Sequence, residues 1–538
     1  MRGSRVVAVS AASALALGVL YLALPATGSD LSAQVARADF FAAHGAAPVD
    51  LRWYGGVHPW GYSLVSPPLM ALLGVRLTGA LALLAASTAF AALLVRAGVP
   101  RPLLGSLVGV LTIAGNLVSG RVTYALGVAF GLAALLALTL PAHAPPGRRW
   151  PRPALVAAGA LLASATSPVA GLFVGLAGVA LLLTRRYADG LLLGAAAALP
   201  LGVTGLLFGE GGWMNISRSE TLRALVTSLL VAALVAYRPV RVGALLSAAG
   251  VLAAALVHTP VGLNATRLVV MFALPLLAAA ARLPGWAGGR DASGTVGGRP
   301  KATGRHGRLV GALALAALLG LGCWWQPPVV AADLRSAGDP TSDQRFFDPL
   351  RTELSRRGLT GRVEVPPTRN YWEAAHLGEV PLARGWLRQA DIARNPLFFT
   401  TVPGAGGTGV PLTAQSYRAW LAENAVQYVA VPDTELSWVG RAEAELVVAG
   451  LPYLTEVWSD RHWRLYAVTD PTPLVGAPGE LLRQDGASVT FRTSAAGTVP
   501  VRVRHDRWLA VSGGATTAAD GEWTAVTVPR AGTYTLGG

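Results

Sequence analysis

Apolar residues gather in blocks over the first 325 positions and thin out after them. The blocks fall at about 6–25, 77–95, 102–117, 122–140, 153–166, 168–184, 190–208, 221–237, 241–257, 267–282 and 308–325. Each approaches the roughly 20 residues a helix needs to cross a bilayer, so the pattern predicts about eleven spans. The dipeptide Ser167-Pro168 divides one long block in two. Proline lacks an amide donor and pushes the preceding residue out of the helical region, which predicts two short spans there. The first run, Val6–Pro25, also has the outline of a secretory leader. Its length and the spans that follow favour a retained first span.

Two polar regions interrupt this pattern. A loop at 26–69 separates the first two spans, and an amphipathic helix is expected over 31–43, just after Asp30. Beyond Trp325 the periodicity mixes. Helices are expected over 343–357 and 414–423, and strands over 428–432 and 463–468. From about 476 short alternating segments follow one another: SVTFRT, VPVRVRH, WLAVSG, WTAVTVP and TYTLGG. Turn residues between them predict a small β-sandwich. The expected fold is thus a polytopic α-helical membrane protein with a C-terminal extracytoplasmic α/β plus β-sandwich region. Its parts are a membrane domain over 1–325 carrying the external loop 26–69, a Gly-rich basic linker over 284–307 read as disordered, an α/β domain over 326–470 and a sandwich over 471–538.

Composition agrees: 53% of residues are hydrophobic, 14% are charged, and mean hydropathy is +0.48. That is too apolar for a soluble globular protein. The net charge of +15 would suggest nucleic acid until the charges are placed. The loops at 1–5, 96–101, 141–153, 185–190, 238–241 and 282–308 hold 17 Lys/Arg against two Asp. The positive-inside rule puts these loops, and the N-terminus, in the cytoplasm, and the C-terminal region outside a plasma membrane. No nucleic-acid partner is expected. Cys323 has no second cysteine to pair with. Walker A, HExxH, GxSxG and cysteine-based metal spacings are absent from the sequence, so soluble nucleotide chemistry has no support.

Candidate chemistry concentrates at the outer ends of spans. A carboxylate at a membrane edge is costly unless solvated or used. Asp30 is therefore a candidate general base or metal ligand, with a helix N-cap as the bland alternative. Asp39, nine residues on, falls on the far side of that helix and reads as solvated or salt-bridged. Asp50, Arg52, Trp53, Tyr54 and His58 combine acids and donors with aromatic faces that suit sugars, though Trp and Tyr also anchor at interfaces. Ser66-Pro67-Pro68-Leu69 aims the next helix. Arg121, Asn264 and Arg267 stand at two other outer span ends. A guanidinium there suits a phosphate, whether of a ligand or of bilayer lipids. His258 lies near the same mouth and reads as structural. Arg384-Gly385-Trp386, with Trp372-Glu373, Arg388-Gln389 and Asp391, is either a cleft lining or a buried hydrogen-bonded core.

The external Asp30 ahead of an amphipathic helix, followed by Tyr62 and Ser66-Pro67-Pro68-Leu69, resembles the GT-C superfamily of membrane glycosyltransferases. Trp53-Tyr54-Gly55-Gly56, Gly120-Arg121, Ser167-Pro168, Asn264 to Arg267 and Arg384-Gly385-Trp386 resemble, in that order, the actinobacterial pyruvoyl-tetrahydropterin-synthase-related membrane proteins. The resemblance covers most of residues 1–470. It implies transfer of a sugar from a polyprenyl-phosphate donor to an envelope glycan, lipid or protein acceptor. It also implies that Asp30 is the base or metal ligand, and that Arg267 lies where a lipid phosphate is held. Ser29, not a second acid, adjoins Asp30, which weakens a metal site there. No cofactor is certain, and a divalent metal remains open. Two other readings stand beside this one: a transporter or flippase of envelope lipid or oligosaccharide, and a non-catalytic glycan-binding scaffold.

Overall fold

A computed structural model describes residues 3–141, 152–209, 211–283, 305–405 and 409–538. Helices coincide with all eleven expected spans: Gly3–Ala23, Val75–Arg96, Pro102–Val118, Val122–Ala137, Arg152–Thr166, Pro168–Leu183, Tyr187–Phe208, Arg218–Leu234, Arg238–Leu256, Arg267–Ala280 and Arg305–Trp325. Among the described residues, five helical stretches, one of them Gly262–Ala280, are long and apolar enough to cross a membrane, and five shorter apolar ones accompany them. The chain is a multi-pass membrane protein. At Ser167 the backbone is extended (φ −144°, ψ 114°), and its hydroxyl caps the next helix through the Ala170 amide. Pro168 thus ends one helix and starts another. Arg218–Leu234 begins three residues before its apolar run because Ser217 and Glu220 form a reciprocal capping box. Most of the 284–307 linker lies outside the described residues, and the last span already begins at Arg305.

The chain divides into two compact units. One comprises Met1–Pro25, Arg76–Val203 and Ile216–Arg335; the other comprises Ala26–Val75, Thr204–Asn215 and Ser336–Gly538. The first is helical and packs through small residues. A Cβ at Gly105 would fall 2.4 Å from that of Ala279, and one at Gly178 would fall 2.9 Å from the Gly194 amide. Close backbone approach of this kind replaces the hydrophobic drive that lipid does not supply.

The second unit contains three sheets. β1 (Arg362–Glu364), β2 (Val426–Pro432), β3 (Leu454–Ser459) and β4 (Trp463–Val468) form one in the order β1-β2-β4-β3, with β1 and β2 parallel. Helices Asp348–Arg357 and Ala414–Glu423 belong to this α/β part. β5 (Gly479–Gln484), β6 (Ser488–Thr493), β7 (Gly497–Arg504), β8 (Ala510–Val511), β9 (Thr516–Asp520), β10 (Trp523–Val528) and β11 (Gly532–Gly537) build the sandwich, as sheets β7-β10-β9 and β5-β6-β11-β8. Its core takes in Val49 and Leu51 from the 26–69 loop. That loop is therefore folded into the second unit and holds the helices Leu31–His44 and Ser66–Leu73, which pack on each other.

Candidate functional site

Asp30 stands immediately before the helix Leu31–His44. Its backbone is already helical (φ −102°, ψ −8°), and its carboxylate makes no capping hydrogen bond. An N-cap normally needs extended backbone to turn its side chain onto the N2 or N3 amides, so the capping alternative is not what this residue does. Ser29 Oγ lies 3.4 Å from Oδ1. Asp30 is 8% exposed.

Gln34 and Arg37 follow at i+4 and i+7 on the same helical face as Asp30. Arg37 was not singled out from the sequence, although this spacing was visible there. It is 4% exposed, and its guanidinium carbon lies 3.6 Å from the centre of the Tyr62 ring and 5.3 Å from that of Trp386. Trp386 Nε1 donates to the Ser29 carbonyl at 2.8 Å, bringing the indole back to the Asp30 segment. Nη1 of Arg37 is buried without a hydrogen-bond acceptor among the described residues. Burial lowers the Arg37 pKa, opposed first by Tyr62 and then by the Asp50 and Asp30 carboxylates. A buried cation held by aromatic faces instead of an ion pair keeps donors available for an anionic or polar ligand. The helix is anchored by Ser32, whose hydroxyl donates to the Asn370 carbonyl at 2.6 Å.

The neighbouring expectations are corrected. Asp50 and Arg52 neutralise each other: Oδ1 accepts from the Arg52 amide and Nε at 3.0 Å each, and Oδ2 from Nη2 at 2.8 Å. Arg52 Nη2 also donates to the Ala36 carbonyl at 2.8 Å. Trp53 and Tyr54 are buried, and the Tyr54 hydroxyl donates to the Gly385 carbonyl at 2.6 Å. A Cβ at Gly385 would fall 2.5 Å from the Trp53 ring, so only glycine lets these two segments meet. Trp53-Tyr54-Gly55-Gly56 and Arg384-Gly385-Trp386 are thus two halves of one packed joint, closed to a sugar. His58 contacts the Pro48 carbonyl through Nδ1 at 3.2 Å and Asp506 through Nε2 at 2.9 Å, a structural bridge.

Arg384 is likewise internal. It pairs with Glu364 at 2.7 Å and with Glu443, lies 3.7 Å from the Phe398 ring centre, and is 3% exposed. Tyr417 donates to Glu443 at 2.8 Å. Burial pushes both carboxyls above their usual range, with Arg384 pulling them back. The substrate-binding expectation for Arg384 gives way to a buried ionic core; of its segment, Trp386 alone reaches the Asp30 face.

In the first unit, Arg121 directly precedes the helix Val122–Ala137, and Asn116 Nδ2 donates to its carbonyl at 3.2 Å. Arg267 opens the helix Arg267–Ala280 after a 3-10 turn, Gly262–Thr266, that contains buried Asn264. The Arg267 guanidinium lies 5.4 Å from the Tyr124 ring centre. Arg121 is one turn before Tyr124, so both cations border the same tyrosine. Tyr124 lines an apolar cavity of about 580 Å³ together with Phe90, Phe173, Val174, Ser228 and Phe272. The sequence pattern pointed to the arginines and missed the cavity.

No protein-family model and no curated protein matches the chain. Solved structures do. The cryo-EM structure of the arabinofuranosyltransferase AftD from Mycobacteria is similar at 18% identity and a TM-score of 0.48, covering 90% of this chain and 40% of that one. The crystal structure of ArnT from Cupriavidus metallidurans in the apo state is similar at 14% identity and a TM-score of 0.45, covering 87% of this chain and 98% of that one. The chain spans about 40% of the AftD length.

Proposed function

We propose that this protein is a membrane glycosyltransferase of GT-C type, moving a sugar from a polyprenyl-phosphate donor to an envelope acceptor at the outer face of the plasma membrane. The carrying observation is the Asp30–Arg37 face: a carboxylate without a capping bond, and seven residues on a buried guanidinium between two aromatic rings. Asp30 takes the proton of the acceptor hydroxyl. The acceptor oxygen attacks the anomeric carbon, the bond from that carbon to the phosphate oxygen breaks, and configuration inverts. Arg37 donates to an oxygen of the bound ligand while Tyr62 and Trp386 hold its guanidinium.

The membrane unit holds the lipid. Within that unit, the cavity beside Tyr124 suits a prenyl chain, and Arg267 with Arg121 suits a phosphate. The basic loops assigned to the cytoplasm support the outward face. The order of the five motifs supports a nearer kinship with the pyruvoyl-tetrahydropterin-synthase-related membrane proteins.

The test is sugar transfer by the purified protein in lipid nanodiscs, with labelled polyprenyl-phosphate sugars, envelope extract as acceptor, and Asp30→Asn in parallel. Transfer by the wild type that vanishes in the folded variant supports the reading. Transfer equal in both removes Asp30 as the base, and lipid translocation without transfer replaces the reading with a flippase.

A further inference from the structure

A second constellation in the same unit stands at the other end of the helix that Asp30 precedes, about 20 Å along it at 1.5 Å per residue. His44 closes the helix Leu31–His44, Glu379 follows the short helix Glu373–His376, and Asp485 stands in the turn between β5 and β6. One ligand atom from each lies within 4.8 Å of the others, and His44 Nε2 is 3.0 Å from Glu379 Oε2. Three segments far apart in sequence therefore bring one imidazole and two carboxylates to a point.

The surroundings shape the point. A Cβ at Gly486 would fall 3.0 Å from both His44 Nε2 and Glu379 Oε2, filling the space that a bound ion needs. The Gly486 amide donates to Glu379 Oε2, and Leu51 donates to the Gly486 carbonyl at 2.8 Å, which fixes the turn. Asp485 Oδ1 accepts from the Ala487 and Ser488 amides at 3.0 and 2.9 Å, and the Ser488 hydroxyl reaches both carboxylate oxygens. The Phe40 ring packs 5.1 Å from the imidazole centre. Supporting contacts of this kind orient metal ligands. The nearby cations are Arg52, neutralised by Asp50, and Arg483, 3.5 Å from Asp485 and mostly exposed.

We infer that His44, Glu379 and Asp485 form a divalent transition-metal site. One nitrogen and two oxygen donors suit Zn²⁺ or Mn²⁺ over Ca²⁺, which takes six or more oxygens. Three protein ligands leave a coordination position for water. The ion ties the end of the helix that starts at Asp30 to the β5–β6 turn of the sandwich, so its role is to hold that helix in place.

Tag-free full-length protein in nanodiscs, stripped with chelator and dialysed, would be titrated with ZnCl2 and, separately, CoCl2. The expected result is about one Zn²⁺ retained per chain by elemental analysis, a Tm several degrees above that of the stripped protein, and a Co²⁺ visible absorption band. His44→Ala and Glu379→Gln should each lose at least tenfold in affinity and the Tm gain, and Gly486→Ala should weaken binding with every ligand still present. Retention below about 0.2 ion per chain, or equal uptake by wild type and His44→Ala, overturns the site. Asp30→Asn should bind Zn²⁺ as the wild type does, which separates this test from that of transfer activity.

Discussion

The Arg37 guanidinium sits 3.6 Å from the centre of the Tyr62 ring, buried and without a paired carboxylate in hydrogen-bond contact at Nη1. A charge held this way is costly to the fold, and the Tyr62, Asp50 and Asp30 groups that act on it leave Nη1 without a hydrogen bond. Arg37→Met should therefore unfold within about 1 kcal/mol of wild type, or above it. Transfer should fall by roughly 100-fold or more as the donor to the ligand is lost. Arg37→Lys should recover part of the rate, since a point charge lacks the fork. Chemical denaturation alongside initial rates checks both.

Asp30→Asn is expected to separate chemistry from stability. Because Asp30 makes no capping bond, the amide should change Tm by less than the loss of a cap, typically about 1 kcal/mol, would. General-base catalysis contributes roughly 100- to 10,000-fold, so kcat should drop by that order. A loss of stability with unchanged rate would make Asp30 a structural residue.

The opposite outcome is expected at Arg384. Arg384→Met strands Glu364 and Glu443 inside the α/β part. Breaking a buried ionic group by removing one partner costs about 3–5 kcal/mol. The variant should show reduced yield and a large fall in Tm. Its residual folded fraction should bind donor with unchanged affinity, because Arg384 is buried against Glu364 and Glu443.

Glu373 gives the second unit a pH dependence. Burial raises its carboxyl from 4.5 to about 7, despite hydrogen bonds from Thr368. The folded state then holds the proton more tightly than the unfolded state. Its stability contribution is complete below pH 4.5 and declines as pH rises to about 7, a change on the order of 3 kcal/mol. Glu373→Gln should abolish this decline, so that its Tm exceeds that of the wild type at pH 8 and converges with it at pH 5. Parallel Tm profiles for the two proteins would refute the assignment.

Gly385→Ala tests the joint between the two aromatic motifs. The added Cβ would lie 2.5 Å from the Trp53 ring. Overpacking of this kind costs about 1–3 kcal/mol. Trp386 leans on the same segment, so transfer should fall together with Tm. Trp53→Phe in the same chain should restore part of both.

The spans and the break at Pro168 were legible in the sequence. A bilayer-spanning helix is a local object: its length, apolar content and proline punctuation are written in consecutive residues. The sandwich was legible in outline for the same reason, through period-two alternation, although β5 and β9 escaped because GELLRQ and TTAAD do not alternate cleanly. Asp30, Arg267 and Arg121 stand out in the sequence as polar groups at membrane edges. Only tertiary structure decided among the rest, because partners far apart in sequence set a side chain's charge and exposure. Arg384 found Glu443 59 residues away and was removed from the surface. Arg52 found Asp50 and was closed off, whereas Arg37, from the same loop, met Tyr62 and Trp386 and kept a free donor. Three arginines of equal chemistry thus acquired different roles from what packs against them, and composition and spacing carry no record of that packing.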